Sequence, residues 1–217
     1  MKILSLLTFL FAVLTIYFDY QDKRFVYFFK PATMIFIIAL ARFYGERKGF
    51  YAWAILAGFV FSLVGDTFLI NPQNFVFGLA SFLVAHLCYI AAFFKAGAGK
   101  FNPLSLLAYP VGFVIFTLIS GGVPENLKTA VVVYSLAIST MLGAALNFYL
   151  TQKTPRALFA LSGAAFFVLS DSLLAYNKFS GEFFLAKLLI LSTYFFAQWL
   201  IARSVNLETE GAHKQGR

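Results

Sequence analysis

The chain has 217 residues, of which 61% are hydrophobic and only 12% are charged, and its mean hydropathy is +0.82. This composition lies far outside that of soluble globular domains and predicts an integral membrane protein. The formal net charge of +8 does not indicate a nucleic-acid-binding protein, because the basic residues are scattered over loop ends and form no single stripe.

The apolar residues fall into eight stretches, each close to the roughly 20 residues that a helix needs to cross a bilayer. In chain order the stretches are residues 2–18, 25–43, 50–70, 74–95, 104–120, 126–149, 155–176 and 182–202. Short links with Gly, Pro and Asn turn signals join them. The sequence therefore predicts an all-α integral membrane protein, an eight-helix transmembrane bundle over residues 1–203 that is followed by a polar C-terminal tail over residues 204–217.

The first stretch begins with Lys2 and resembles a signal peptide, but it continues into Phe18-Asp19-Tyr20 without a small-residue cleavage site. We therefore predict an uncleaved first helix. The one cysteine, Cys88, lies inside the fourth stretch and is interpreted as a small apolar filler.

The distribution of positive charge predicts the orientation of the bundle. Eleven Lys and Arg residues flank the stretches on the side of the N-terminus, and four flank them on the opposite side. The positive-inside rule therefore predicts that both termini lie in the cytoplasm. The expected location of this multi-pass protein is the bacterial inner membrane.

Two aspartates, Asp66 and Asp171, lie deep inside apolar stretches. A carboxylate within a bilayer-spanning helix costs about 2.5–3.5 kcal/mol or more, so it usually faces a polar cavity and has a function. Each aspartate lies sixteen residues past the start of its stretch, and a rise of 1.5 Å per residue gives both a depth of roughly 24 Å from the cytoplasmic edge. A structural polar lock between helices is the alternative, but neither aspartate has a basic residue four positions away on its own helix. We predict that both are catalytic.

Six further polar residues inside the stretches are predicted to contact the substrate near the aspartates: Lys30, His86, Tyr89, Tyr134, Lys187 and Tyr194. Lys30 and Lys187 each lie five residues in from the outer edge of their stretches, at a depth of about 7–8 Å, which puts them in a layer next to that of the aspartates. Some have simpler interpretations. Lys187, near a helix end, could extend to the lipid headgroups, and His86 could be a hydrogen-bonding residue between helices. For Lys30 both interpretations stand, because the proline that follows it weakens the local helix. Gln198 lies toward the cytoplasmic end, where a packing or interfacial role is expected.

The spacing that separates the two aspartates also separates Tyr89 from Tyr194. Duplication of a four-helix unit would produce this pattern and would put the site between the two halves, as in transporters built from repeats.

Several kinds of enzyme site cannot be built from this sequence. His86 and His213 are its only histidines, so it lacks the ligands of a multi-histidine zinc site. It has no Gly-x-Ser-x-Gly nucleophile motif and no glycine-rich phosphate loop followed by Lys and Ser or Thr. We expect no cofactor and no metal, although two carboxylates could hold an ion weakly.

Short polar motifs occur in a fixed order along the stretches. They are Lys30-Pro31 in the second, Ser62-x-x-Gly65-Asp66 in the third, Gly78-Leu79-x-x-Phe82-x-x-x-His86-x-x-Tyr89 in the fourth, Arg156-x-Leu158 with Gly163-Ala164 and Ser170-Asp171-Ser172 in the seventh, and Tyr194-x-x-x-Gln198 in the eighth. Together they resemble the YhhN-like membrane proteins, which include the lysoplasmalogenases, over nearly the whole chain.

The resemblance implies cleavage of the vinyl-ether bond of a lysoplasmalogen, which gives a fatty aldehyde and glycerophosphoethanolamine or glycerophosphocholine. This hydrolysis needs a proton donor for the alkene carbon, and a carboxyl group desolvated among apolar side chains keeps its proton nearer neutral pH. A second, ionised carboxylate stabilises the oxocarbenium ion and activates water, as in glycosidases. Asp66 and Asp171 fit these two roles, but the sequence does not assign them. Lys30, with Lys187, is expected to hold the lipid phosphate, and the alkyl chain is expected to lie in a Phe-lined slot.

Other functions remain open at this point. The aspartates could form the proton relay or ion site of a proton-coupled small transporter or of a lipid-binding membrane protein. The same residues could also act on a different lipid headgroup. The expected partners are a lysophospholipid substrate and the membrane lipids, without nucleic acid.

Overall fold

A computed structural model describes residues 2–44, 49–97 and 101–214, with all their side chains except those of residues 44 and 206–214. The links predicted at 45–48 and 98–100, and the last residues of the tail at 215–217, lie outside the described residues.

Within the described residues, eight helices are long and apolar enough to cross a membrane, and no strand occurs, which confirms the predicted fold class. The helices are α1 (Lys2–Gln21), α2 (Lys23–Tyr44), α3 (Phe50–Ile70), α4 (Phe75–Ala96), α5 (Ala108–Ile119), α6 (Glu125–Gln152), α7 (Pro155–Phe179) and α8 (Ala186–Lys214). Short 3₁₀ turns lie at Pro72–Asn74, Pro103–Leu107 and Ser120–Gly122. The last two flank α5, which has 12 residues, and together with it form the 20-residue segment Pro103–Gly122 that is long enough to cross the membrane.

The helix boundaries follow the turn residues of the links. The side chain of Thr154 accepts a hydrogen bond from the backbone N–H of Ala157 at 3.3 Å, and Pro155 occupies the first position of α7, a combination that favours a helix start. Asn71 and Asn102 accept backbone N–H bonds in the same way, each at 3.0 Å, ahead of the two 3₁₀ turns that begin with proline.

The eighth helix begins later than the apolar stretch predicts. Residues 181–185 form a loop in which the backbone N–H of Phe183 bonds to the side chain of Asn177 at 3.3 Å, and α8 starts at Ala186. Lys187, which we expected five residues inside this helix, is therefore its second residue. It lies at the helix end, beside the loop.

The bundle core is built mainly by α2, α3, α4, α6, α7 and α8, and α5 lies at the periphery against α6. The most extensive contact between two helices is that of α7 with α8, where a Cβ on Gly163 would come within 3.1 Å of the backbone oxygen of Ala197. Small residues permit such close approach between membrane helices. The outer surface carries many large apolar side chains, such as Phe94 and Phe113, as a lipid-facing surface requires.

Candidate active site

A cavity of about 200 Å³ lies at the end of the bundle opposite the two termini, between the end of α1, the beginning of α2, the end of α3, α4, the later half of α7 and the beginning of α8. Five of the eight predicted site residues line it: Lys30, Asp66, Asp171, Lys187 and Tyr194. The other three, His86, Tyr89 and Tyr134, lie behind its walls and reach it through the contacts described below. The residues that the sequence singled out are thus brought together from six helices.

Asp66 is fully buried and has two strong partners. The ε-ammonium of Lys30 lies 3.1 Å from its Oδ1, and the hydroxyl of Tyr194 donates a hydrogen bond to its Oδ2 at 2.6 Å. Lys30, which we expected in a neighbouring layer closer to the surface, is itself buried and also contacts the backbone oxygen of Asp66 at 3.4 Å. Pro31 lies within α2 without ending it. The carboxylate of Asp66 is therefore compensated by a cation.

A chain of hydrogen bonds extends from Asp66 into the core. Gln198 donates to the hydroxyl of Tyr194 at 3.2 Å and accepts from the hydroxyl of Tyr89 at 3.0 Å, and Tyr89 also contacts the hydroxyl of Ser62 at 3.2 Å. Gln198, for which we expected a packing or interfacial role, is fully buried within this network. Gln198 lies four residues after Tyr194, so both side chains are on one face of the helix. This spacing is the signal in the sequence that could have identified Gln198 as a member of the network.

Asp171 has a different environment. The hydroxyl of Tyr134 donates a short hydrogen bond of 2.5 Å to its Oδ2, and the Nε2 atom of His86 lies 3.7 Å from the same oxygen. Both ring nitrogens of His86 are buried without a hydrogen-bond partner among the described residues. The imidazole packs edge-on against Tyr134 and Phe167, with ring centroids 5.1 and 4.9 Å apart.

The two aspartates therefore differ in electrostatic terms. Asp66 forms an ion pair with Lys30, whereas in the described part of the chain no Lys or Arg lies within 4 Å of the Asp171 carboxylate, whose nearest basic group is His86. An ionised carboxylate in a low-dielectric interior needs a cation or several hydrogen bonds to offset its desolvation. This arrangement favours charge on Asp66 and a proton on Asp171.

The mouth of the cavity is formed by charged residues from α1, α2 and α8. The ε-ammonium of Lys187 donates to the backbone oxygen of Asp19 at 2.6 Å and lies 3.3 Å from its carboxylate. The hydroxyl of Tyr20 accepts from the backbone N–H of Leu188 at 3.3 Å, so the end of α1 is fixed to the start of α8. Lys23, which sequence reasoning did not select, also lines the cavity and is exposed.

Over residues 2–44, 49–97 and 101–214, no group of three or more His, Cys, Asp and Glu side chains is placed to hold a metal ion.

Comparisons with known proteins identify a family for this chain. The sequence profile of the YhhN family matches residues 25–205. Lysoplasmalogenase TMEM86B of Sus scrofa is 35% identical over 162 residues, which cover 74% of this chain and 67% of that protein. Lysoplasmalogenase TMEM86A of Homo sapiens is 35% identical over 165 residues, covering 70% and 65%. A lysoplasmalogenase of Mycobacterium bovis is 30% identical over 165 residues, covering 68% and 57%. The chain spans about two thirds of the length of the first two. No solved structure matches the chain.

Proposed function

Because this chain belongs to the YhhN family, we propose that it is a lysoplasmalogenase, which hydrolyses the vinyl-ether bond of a lysoplasmalogen to a fatty aldehyde and a glycerophospho-alcohol. The names of its relatives support this reaction. The observation that carries the proposal is the pair of aspartates that line one cavity with unequal partners, a cation for Asp66 and a phenol for Asp171.

The reaction needs two carboxyl groups in opposite protonation states. Protonation of the alkene carbon two bonds from the ether oxygen produces an oxocarbenium ion, and water then adds to the carbon bonded to oxygen. The hemiacetal that results collapses to the aldehyde and the alcohol. One group must supply a proton to carbon, and another must stabilise the cation and take a proton from water.

Asp171 is the acid in this scheme. It lacks a compensating Lys or Arg among the described residues, its side chain is only 12% exposed, and mainly apolar residues line the space on one side of it, conditions that favour its protonated form. When its proton moves to the alkene carbon, a carboxylate remains. The hydroxyl of Tyr134 already donates to that oxygen, and an N–H on Nε2 of His86 needs to move by less than 1 Å to reach hydrogen-bonding distance from 3.7 Å. The sequence predicted that His86 contacts the substrate. In this scheme it is instead a positioning residue that stabilises the charge on Asp171.

Asp66 is the stabiliser and base. Lys30 and Tyr194 keep its carboxylate ionised before the reaction, so a negative charge faces the cavity where the oxocarbenium ion forms. As water adds, Asp66 takes the water proton. In the collapse of the hemiacetal, Asp171 takes the hydroxyl proton and Asp66 returns its proton to the departing glycerol oxygen. Both groups regain their starting states, and one water is consumed.

The lipid phosphate binds at the mouth of the cavity. Lys30 is buried in its ion pair with Asp66, whereas the side chain of Lys187 stays 42% exposed in its pair with Asp19. Phosphate binding, which we first expected of Lys30 and Lys187, therefore falls to Lys187 and to the exposed Lys23. Each is a compact cation that suits a phosphate. The headgroup then lies toward the outside and the vinyl ether between the aspartates.

We further propose that the protein lies in the bacterial inner membrane with both termini in the cytoplasm, as the distribution of Lys and Arg indicates. The cavity then opens on the extracytoplasmic side, where it receives lipids from the outer leaflet.

The test is aldehyde release by the purified protein in detergent, from a lysoplasmalogen and from its saturated-ether analogue. We expect aldehyde only from the vinyl ether, and a loss of about 10²-fold or more for Asp171→Asn, in line with general acid catalysis, and for Asp66→Asn. Asp22→Asn is the matched control, because this aspartate lies in the link between α1 and α2 and pairs with Arg24 outside the cavity. Near-normal turnover by both cavity variants, correctly folded, would refute the mechanism.

A proton-coupled transporter is the second candidate, and the buried pair of Lys30 and Asp66 favours it, because ion pairs within membrane helices mark proton relays. Transport requires uptake into proteoliposomes that depends on a pH gradient. A hydrolase, in contrast, turns over lipid in detergent without any gradient.

A further inference from the structure

A second, narrower cavity adjoins the first. It lies between α4, α5, α6 and α7, has a volume of about 50 Å³ and is partly open. Most of its lining is apolar, including Leu79, Ile115, Ile138 and Ala175. Asp171 and Leu174 line this slot as well as the polar cavity, and Asp171 is the only ionisable residue common to the two linings. The proposed acid is therefore the boundary between a polar and an apolar compartment.

We infer that this slot receives the first carbons of the alkenyl chain and selects unbranched chains, an inference that rests on the proposed function. In the substrate, the carbon that takes the proton is bonded on one side to the carbon that bears the ether oxygen and on the other side to the hydrocarbon chain. An acid at this carbon must therefore have polar groups on one side of it and apolar space on the other. Asp171 has both.

The width of the slot limits what it holds. The helices α5 and α6 approach closely here, since a Cβ on Gly112 would collide with the hydroxyl of Ser139. A volume of about 50 Å³ has room for a few methylenes in single file, and the rest of a long chain then leaves through the open side into the bilayer. A methyl branch near the vinyl group does not fit.

A larger groove elsewhere does not meet these requirements. The groove between α1 and α8 has a volume of about 470 Å³ and a mainly apolar lining, with residues such as Ile16 and Phe195 beside Ser192. Neither aspartate belongs to that lining. A chain in this groove would leave the vinyl ether at the mouth of the polar cavity, near Lys187, and away from the acid.

The experiment compares the kcat/KM of lysoplasmalogens with a 16-carbon alkenyl chain and with an unsubstituted vinyl group, which has no carbon that could enter the slot. Ala175→Phe fills the slot, Ser192→Phe fills the groove between α1 and α8, and Ala130→Phe adds the same ring on the exposed face of α6. For each variant, the kcat/KM of the long chain is divided by that of the short chain, and this long-to-short ratio is compared with the wild-type ratio. The comparison cancels the different partition of the two lipids into detergent.

Burial of one methylene corresponds to roughly fourfold in binding, so loss of a slot that holds two or three methylenes reduces the long-to-short ratio by about 15- to 60-fold. We expect this reduction in Ala175→Phe, and ratios within about twofold of wild type in Ser192→Phe and Ala130→Phe. A wild-type ratio in Ala175→Phe, or a reduction in Ser192→Phe instead, overturns the inference while the proposed function stands. If the wild type hydrolyses neither vinyl ether, the proposed function itself fails.

A widening variant keeps the inference testable if Ala175→Phe does not fold or loses activity on both chains. Ile115→Ala enlarges the slot on the side of α5. We expect it to increase the kcat/KM of an alkenyl chain with a methyl branch next to the vinyl group by at least tenfold relative to the straight chain. No relative gain for the branched chain overturns the inference.

Discussion

Replacement of Lys30 by methionine tests the buried ion pair on which the proposed base depends. The distance of 3.1 Å between Nζ and Oδ1 of Asp66 gives a Coulomb attraction of roughly 5 kcal/mol at an effective dielectric constant of about 20. Removal of one member of a buried pair typically lowers the free energy of unfolding by about 3–5 kcal/mol, because the other charge stays buried without compensation. The loss is limited because Asp66 can bind a proton instead.

We expect Lys30→Met and Asp66→Asn each to lower the melting temperature by on the order of 10 °C. The double variant removes both charges, so it should regain most of the stability that either single variant loses. Its activity should not return, because the base is absent. Lys30→Met should also lower kcat, since an Asp66 that has bound a proton cannot accept one from water.

Lys128→Met is the matched control. Its ion pair with Glu125 is shorter, at 2.6 Å, but the two side chains are 45% and 86% exposed. Exposed pairs of this kind contribute about 0–1 kcal/mol, so the melting temperature should hardly change. The assays are thermal unfolding in detergent and aldehyde release. Melting temperatures that fall additively in the double variant, or a wild-type kcat in Lys30→Met, would refute the assignment of Lys30 as the cation of the base.

Four further substitutions test other parts of the site. Tyr134→Phe removes the 2.5 Å hydrogen bond to the proposed acid, and kcat should fall roughly 10- to 100-fold, as expected for a bond of about 1.5–3 kcal/mol to a charged group; an unchanged kcat contradicts this role. Lys187→Ala and Lys23→Ala should each raise the KM of the lysophospholipid several-fold but not that of an alkenylglycerol, which lacks the phosphate. Equal effects on both substrates would remove the phosphate role. Gly58→Ala forces a Cβ against the ring of Tyr89, so the melting temperature should fall, and a wild-type value would show that the ring moves aside freely.

The helices could be predicted because every segment that crosses the membrane must be long enough and apolar enough to span the bilayer core. Length and hydropathy located all eight, and even the start of α3 and of α7 matched the residue predicted. The start of α8 did not match, because apolar residues such as Phe183 and Phe184 occur in the loop that precedes it. Hydropathy records how apolar a residue is, and it does not record whether the backbone has turned.

The pairing within the site could not be predicted, because it depends on the rotation of each helix about its axis. Depth along the helix put Lys30 in a separate layer from Asp66, but a lysine side chain spans several ångströms and the two groups meet. Gln198 was assigned by its distance from the cavity end alone, although it faces Tyr194 and Tyr89. A sequence indicates the depth of each residue in the bilayer, but the packing of the helices determines which side chains meet across the bundle.

The weak repeat in the sequence bears on why two similar aspartates have different roles. A symmetric duplication would give each aspartate the equivalent tyrosine from the other half, so Tyr194 would bond to Asp66 and Tyr89 to Asp171. The first bond is present, but Tyr89 bonds to Gln198 and Ser62 instead, and Tyr134 donates to Asp171 in its place. Among the described residues, Lys30 is likewise paired with Asp66 and not with Asp171. In the mechanism proposed above, one carboxyl group starts protonated and the other ionised. Two equivalent aspartates would share the proton without preference, whereas the unequal partners assign it to Asp171.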